Sequence, residues 1–190
     1  AIDEGGSIEC WGADQCSQVG DTPSGTFLEV SSGHLHNCAL TNHLEIECWG
    51  NTSSHIEGCS ENDFGQTDAP EGEFLQVTSG NHHSCGLDRE GAIHCWGKNT
   101  EGQSTPPAGA FTQILSSRDH TCAIGTDQEI QCWGDDQGTG LLDSPPSGSF
   151  AQLGQGSHNL CAIDTDGLIQ CWGAGSSGIN ETDADADGDD

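Results

Sequence analysis

The 190-residue chain has no Met and no Tyr, only 3 Val, and 3 basic residues against 31 acidic ones. Leu, Ile, Val and Phe number 12, 11, 3 and 5, about 16% of the chain, below the roughly 20% under which a strongly charged chain is expected to stay disordered. The scarcity of Lys and Arg excludes whole classes of partner. A formal net charge of -28 repels phosphate backbones and anionic lipid surfaces, and with no basic stripe to offset it nucleic acid is excluded as a direct partner. No run approaches the ~20 apolar residues of a membrane span, so no membrane insertion is expected, and no charged segment precedes an apolar one at the start. Without Met the chain lacks an initiator, and its numbering is expected to begin inside a longer product.

Against these absences stand 11 Cys and 5 Trp, too many for a solvated tail. Cysteine at this density points to an oxidising compartment, so secretion or the cell surface is the expected location. The tripeptide Cys-Trp-Gly recurs at Cys10, Cys48, Cys95, Cys132 and Cys171, with spacings of 38, 47, 37 and 39 residues. Pro-x-Gly-x-Phe-x-x-aliphatic recurs over Pro23–Val30, Pro70–Val77, Pro107–Ile114 and Pro146–Leu153, and Cys-Ala/Gly-Leu/Ile begins at Cys38, Cys85, Cys122 and Cys161. The three elements interleave in one order, which defines an internal repeat.

Each unit reads as short strands joined by Gly, Pro, Asp and Ser; in the third these are Phe111–Ser116, Thr121–Thr126 and Glu129–Trp133. Many short strands at even spacing, with an aromatic and glycine signature in each unit, predict an all-β, propeller-type array. It has four complete blades, 13–50, 51–97 with an insertion at 53–63, 98–134 and 135–173, after a partial hairpin blade at 1–12. An acidic tail follows at 174–190.

The cysteines set a register. Cys38 and Cys48, Cys85 and Cys95, Cys122 and Cys132, and Cys161 and Cys171 are each ten apart, symmetric about a tight hairpin, which puts Leu40 opposite Ile46 and Ile124 opposite Ile130. Period-2 alternation then places cystine and aliphatics on one face and Ala or Gly with Trp on the other, as a blade between two neighbours requires. Opposed residues of antiparallel strands lie within disulfide reach, so four bridges are predicted, each worth about 2.7 kcal/mol in the loop-entropy model. Cys16 and Cys59 lie in loops after consecutive Cys-Trp-Gly strands and are read as a fifth pair. Cys10 is left unpaired in this chain: Ala1-Ile2-Asp3 matches Ala162-Ile163-Asp164, which places its expected partner immediately before Ala1.

Phe27–Val30, Gly33–Leu40, Ile46–Gly50 and the Gly65-Gln66 and Gly102-Gln103 pairs together resemble the regulator of chromosome condensation repeat, in the cysteine-bearing form of its secreted bacterial branch. The resemblance covers residues 1 to 173. It implies a β-propeller, usually of seven blades, acting as a rigid binding platform. Only four units are complete and no Pro-x-Gly-x-Phe element follows Gly173, so an open arc is expected, or a five-blade ring if the ends improvise. The nucleotide exchange and chromatin contacts of nuclear members are not carried over, because this acidic, cystine-rich chain lacks the surface and compartment for them.

Site readings are few. His36, His83 and His120 stand two residues before the first hairpin cysteine, with Asn159 in the fourth unit, and are read as structural groups closing the turn onto the strand. His34, His36 and His43, or His82 with His83, offer a transition-metal alternative. The Trp residues are read as inter-blade contacts. No nucleophile elbow, phosphate loop or His-Glu-x-x-His occurs, so no enzyme is expected. Asp183, Asp185 and Asp187, followed by Gly188, match the start of a calcium loop whose bidentate Glu is missing, and calcium is the only cofactor suggested. Asn51-Thr52-Ser53 and Asn180-Glu181-Thr182 fit the glycosylation pattern.

The function expected is therefore a non-catalytic extracellular module binding a protein through its loops, the insertion around Ser53 to Phe64 above all. Self-association as a fibre or stalk segment with a calcium-binding tail, and lectin-like glycan binding, are the alternatives.

Overall fold

The computed structural model describes residues 1–51, 59, 62–142, 145–156 and 159–173. Among the described residues, twelve strands form four antiparallel three-stranded sheets, each in sequence order. The first blade holds β1 (Phe27–Ser32), β2 (His36–Thr41) and β3 (Ile46–Gly50). The second holds β4 (Phe74–Ser79), β5 (His83–Asp88) and β6 (Ile93–Gly97), and the third β7 (Phe111–Ser117), β8 (His120–Gly125) and β9 (Ile130–Gly134). The fourth holds β10 (Phe150–Gln155), β11 (Asn159–Asp164) and β12 (Ile169–Gly173). Ahead of them a small hairpin closes on an Ile2–Ile8 bridge.

The third blade departs slightly from the strand limits expected: β8 starts at His120, whose backbone pairs with both Ser117 and Gly134, and ends at Gly125. The β2–β3 type turns close on a side-chain oxygen. Thr41 Oγ1 accepts the amides of His43 and Glu45, and Asp88 Oδ1 those of Glu90 and Ala92. Asp164 Oδ1 accepts those of Asp166 and Leu168, and Asp3 Oδ1 those of Gly5 and Ser7. This is the side-chain turn that Asp and Thr favour, and it marks Asp3 as the equivalent of Asp164.

Cys38–Cys48, Cys85–Cys95, Cys122–Cys132 and Cys161–Cys171 are bonded across directly paired positions with Cα separations of 4.0–4.1 Å. Cys16–Cys59 is bonded as well, and Cys10 is free. Each seam joins the cystine and aliphatic face of one blade to the first strand of the next. Cys38, Leu40 and Ile46 meet Phe74 and Val77; Cys85, Leu87 and Ile93 meet Phe111 and Ile114; Cys122, Ile124 and Ile130 meet Phe150, Leu153 and Trp172. The N-terminal hairpin supplies Ile2 and Ile8 to Phe27, Ala39 and Trp49 in the same manner. Gly86 takes the place of Ala in the second unit because a Cβ there would lie 2.7 Å from both Ile46 Cδ1 and Phe74 Cδ1.

The first strands β1, β4, β7 and β10 contact one another in series and so line the axis. Among the described residues the sheets form an arc that does not close. Trp11 at one end is 73% exposed and Ile169 at the other 47%, whereas their counterparts Trp49 and Ile130 within the arc are 5% and 8% exposed.

Candidate binding site at the axial mouth

Each first strand carries a β-bulge at one place. Phe27 pairs with Thr41 and Glu29 with Leu40, leaving Leu28 unopposed, and the same shift recurs at Leu75, Thr112 and Ala151. The reason lies in the Phe-x-x-aliphatic spacing. Phe27 and Val30, three apart, must both enter the core, which strict alternation forbids and one extra residue permits. That extra residue is turned out: Leu28 is 58% and Leu75 53% exposed. These positions, together with Glu29, Gln76, Gln113 and Gln152, line the mouth of a cavity of about 990 Å³ at one end of the axis.

The residue after the bulge bonds across the seam. Glu29 Oε2 accepts the Val77 amide at 2.9 Å, Gln76 Oε1 that of Ile114 at 2.9 Å, and Gln113 Oε1 that of Leu153 at 2.8 Å. A second rung, Ser31 Oγ to the Ser79 amide and Thr78 Oγ1 to the Ser116 amide, is replaced at the third seam, where Leu115 stands in the equivalent place. The rungs fix the spacing of the bulge residues around the mouth. Burial raises the pKa of Glu29 more than the Val77 amide lowers it. Arg89, the cation in the lining, pairs with Glu73 at 2.9 Å.

The histidines read from the sequence as turn-closing groups reach further than that. His36 Nε2 lies 2.8 Å from Ser84 Oγ, and His83 Nε2 lies 2.8 Å from Thr121 Oγ1, each on the next blade. The residue equivalent to Ser84 and Thr121 in the fourth blade is Leu160, which has no hydroxyl to offer, and His120 Nε2 is buried without a hydrogen-bond partner. Desolvation, with help from His82 and His34, lowers the pKa of His36 to about 4; desolvation lowers that of His83 to about 3 against the opposing pull of Asp119. The His-to-Ser spacing is that of a nucleophile and its base, but His36, His83 and Ser84 are buried in the seam. No group of three or more metal-ligating side chains occurs among the described residues: His36 is engaged with Ser84, and His43 lies in the turn at the far end of β2.

Four tryptophans act between segments as well as by contact. The indoles of Trp49, Trp96, Trp133 and Trp172 donate to the carbonyls of Gln18, Gln66, Gln103 and Leu141. This gives the Gly-Gln pairs their role: the Gln66 and Gln103 side chains also accept the amides of Phe64 and Glu101. Trp11 is the exception to the inter-blade reading, because no blade covers it. Asn51 departs from the glycosylation reading. It is buried, and its Nδ2 donates to the Asn62 carbonyl at 2.9 Å. Asp183, Asp185, Asp187, Asn180 and most of the 53–63 insertion lie outside the described residues; Cys59 in that insertion is buried and bonded to Cys16.

The bulge residues were not singled out from the sequence, although the three-residue spacing of Phe and the following aliphatic carries the signal.

Residues 74–103 match the regulator of chromosome condensation (RCC1) repeat. No curated protein matches the chain significantly. Among solved structures, the ectodomain of the receptor kinase CR4 from Physcomitrella patens is similar at a TM-score of 0.70 and 27% identity, over 92% of this chain and 45% of that one. The CRINKLY WD40 ectodomain of the Arabidopsis thaliana receptor kinase ACR4 is similar at 0.67 and 21%, over 90% and 64%. Prp20p from Saccharomyces cerevisiae, described with its binding to Gsp1p and histones, is similar at 0.61 and 15%, over 78% and 45%. The chain thus spans about half the length of these proteins, and its four blades are an arc of a β-propeller.

Proposed function

We propose that this chain, which carries RCC1-type repeats on a β-propeller arc, is a non-catalytic extracellular module that binds a protein partner across the axial mouth. One observation carries the reading: the bulges turn Leu28 and Leu75 out of adjacent blades into one concavity, where they serve no core. Aliphatic groups re-aimed by bulges and gathered into one concavity of a rigid scaffold are suited to contact with a partner. Five disulfides and the likeness to receptor ectodomains support an extracellular setting, and the partners of Prp20p support protein binding on this fold. The burial of the His36–Ser84 pair supports a structural role for that pair.

The test compares the chain with a Leu28→Asp/Leu75→Asp variant as immobilised bait for secreted and surface proteins of its source. The expected result is a partner held by the parent chain and lost from the variant, with equal melting temperatures. A partner held equally by both would reject the axial mouth. A glycan array that retains the chain in a Leu28-independent way would favour the lectin alternative.

The exposed Trp11 and Ile169 faces favour a second reading, association with a further blade or copy at the open ends. Sedimentation of the chain against an Ile169→Asp variant checks it, with a single monomeric species for both as the result that rejects it.

A further inference from the structure

We propose that the axial mouth selects a partner segment in which an aliphatic side chain is flanked, within two residues, by Lys or Arg. The inference rests on the protein-binding reading of that mouth and specifies its ligand.

The aliphatic half of the preference comes from Leu28 and Leu75. They stand at equivalent bulges of adjacent blades, while the third and fourth blades offer Thr112 and Ala151, so the exposed leucines of the lining stand on one side. The cationic half comes from the residue next in sequence to Leu28. Three blades carry a carboxamide after the bulge, at Gln76, Gln113 and Gln152; the first carries Glu29. A carboxylate can accept about four hydrogen bonds, and the Val77 amide is the bond described for it. Its charge is part-buried with no cation described beside it, a state that a ligand's ammonium or guanidinium would relieve.

The other charged side chains of the lining are already engaged. Asp88 accepts the amides of Glu90 and Ala92 through Oδ1 and its Oδ2 lies 2.8 Å from His94 Nε2, and Arg89 pairs with Glu73. The wider field points the same way: a chain of net charge -28 draws cationic ligands and repels acidic ones. Because Leu28 and Glu29 are consecutive, the apolar and acidic contacts adjoin, which sets the short spacing required of the ligand.

A random peptide library displayed on phage, panned at low salt against the disulfide-intact chain, tests this. The expected result is enrichment of peptides with Leu, Ile or Phe beside Lys or Arg. A synthetic copy of the leading peptide is expected to bind about tenfold more weakly to Leu28→Asp/Leu75→Asp. Glu29→Gln, which installs the residue of the other blades, is expected to weaken it about fivefold to tenfold, as for loss of a charge-assisted bond, and to flatten its salt dependence. Enriched peptides without Lys or Arg, or full affinity for Glu29→Gln with unchanged salt dependence, would overturn the inference while leaving binding at the mouth intact. No enrichment would also overturn it, and the bait experiment above then judges protein binding separately. Peptide binding indifferent to the Leu28 and Leu75 changes would overturn both.

Discussion

The imidazole Nε2 of His36 in the first blade and the hydroxyl of Ser84 in the second stand 2.8 Å apart across a buried seam, and the other ring nitrogen of His36 has no hydrogen-bond partner. His83 and Thr121 repeat the arrangement one blade on. A bond made by neutral imidazole, with no carboxylate hydrogen-bonded to the other ring nitrogen to hold imidazolium, links seam integrity to pH.

Both histidines have folded pKa values below the ordinary value of 6.5, about 4 for His36 and about 3 for His83, chiefly from desolvation. A depressed folded value means that the unfolded chain binds the proton first. Stability is therefore whole above pH 6.5 and falls as the pH drops from there toward 4 and 3, by about 1.4 kcal/mol per pH unit for each group. Thermal melts are expected to fall steadily across that window, and the fall above about pH 5 lies clear of the range in which most carboxylates titrate. His36→Asn/His83→Asn, copying Asn159 of the fourth blade, is expected to be less stable at pH 7 but flatter from pH 6.5 to 4. An unchanged slope would remove these residues from the acid response.

Glu29 runs in the opposite sense. Burial raises its pKa, so its contribution is favourable while protonated and is lost as the pH rises through the folded value. Glu29→Gln is expected to stabilise the chain at pH 7 by up to about 1 kcal/mol, discounted because the carboxylate is part-exposed. Glu29→Ala, which leaves the Val77 amide without its acceptor, is expected to cost about 1–2 kcal/mol. Urea titrations at pH 7 and pH 4 measure both, and the gain from Gln should shrink at the lower pH.

The disulfides differ in the loops they close. Cys122–Cys132 spans a sequence separation of 10 and Cys16–Cys59 one of 43. In the loop-entropy model their removal as Ala pairs is expected to cost about 2.7 and about 4 kcal/mol respectively. Equilibrium denaturation of the two variants checks the order, and a smaller loss at Cys16–Cys59 would show that its loop is already constrained when unfolded.

Asn51 is expected to stay unmodified in a glycosylating host. Its amide nitrogen donates to Asn62, its backbone amide donates to Cys16 at 2.7 Å, and its backbone sits at φ 52°, a region Asn tolerates better than most residues. Peptide mass mapping is expected to find the Asn51 peptide free of glycan. A glycan there would require this joint to open before or after folding.

Read from the chain alone, the ten-residue cysteine intervals and the recurring Phe, Cys and Cys-Trp-Gly elements determined the repeat, its all-β class, the hairpin register and the two faces of each blade. They could do so because strand periodicity and turn chemistry act over a few residues. Which partner each side chain meets was decided only by the tertiary structure. His36 lies between Leu35 and Asn37 in sequence, yet bonds to Ser84 forty-eight residues on; Glu29 caps Val77, and Trp133 reaches back to Gln103. Those pairings exist because successive blades are stacked about an axis at a particular rotation, a relation between units that no single unit encodes. The same stacking gathers four local bulges into one mouth, so Leu28 and Leu75, which look in sequence like two ordinary strand residues, become neighbouring walls of a site.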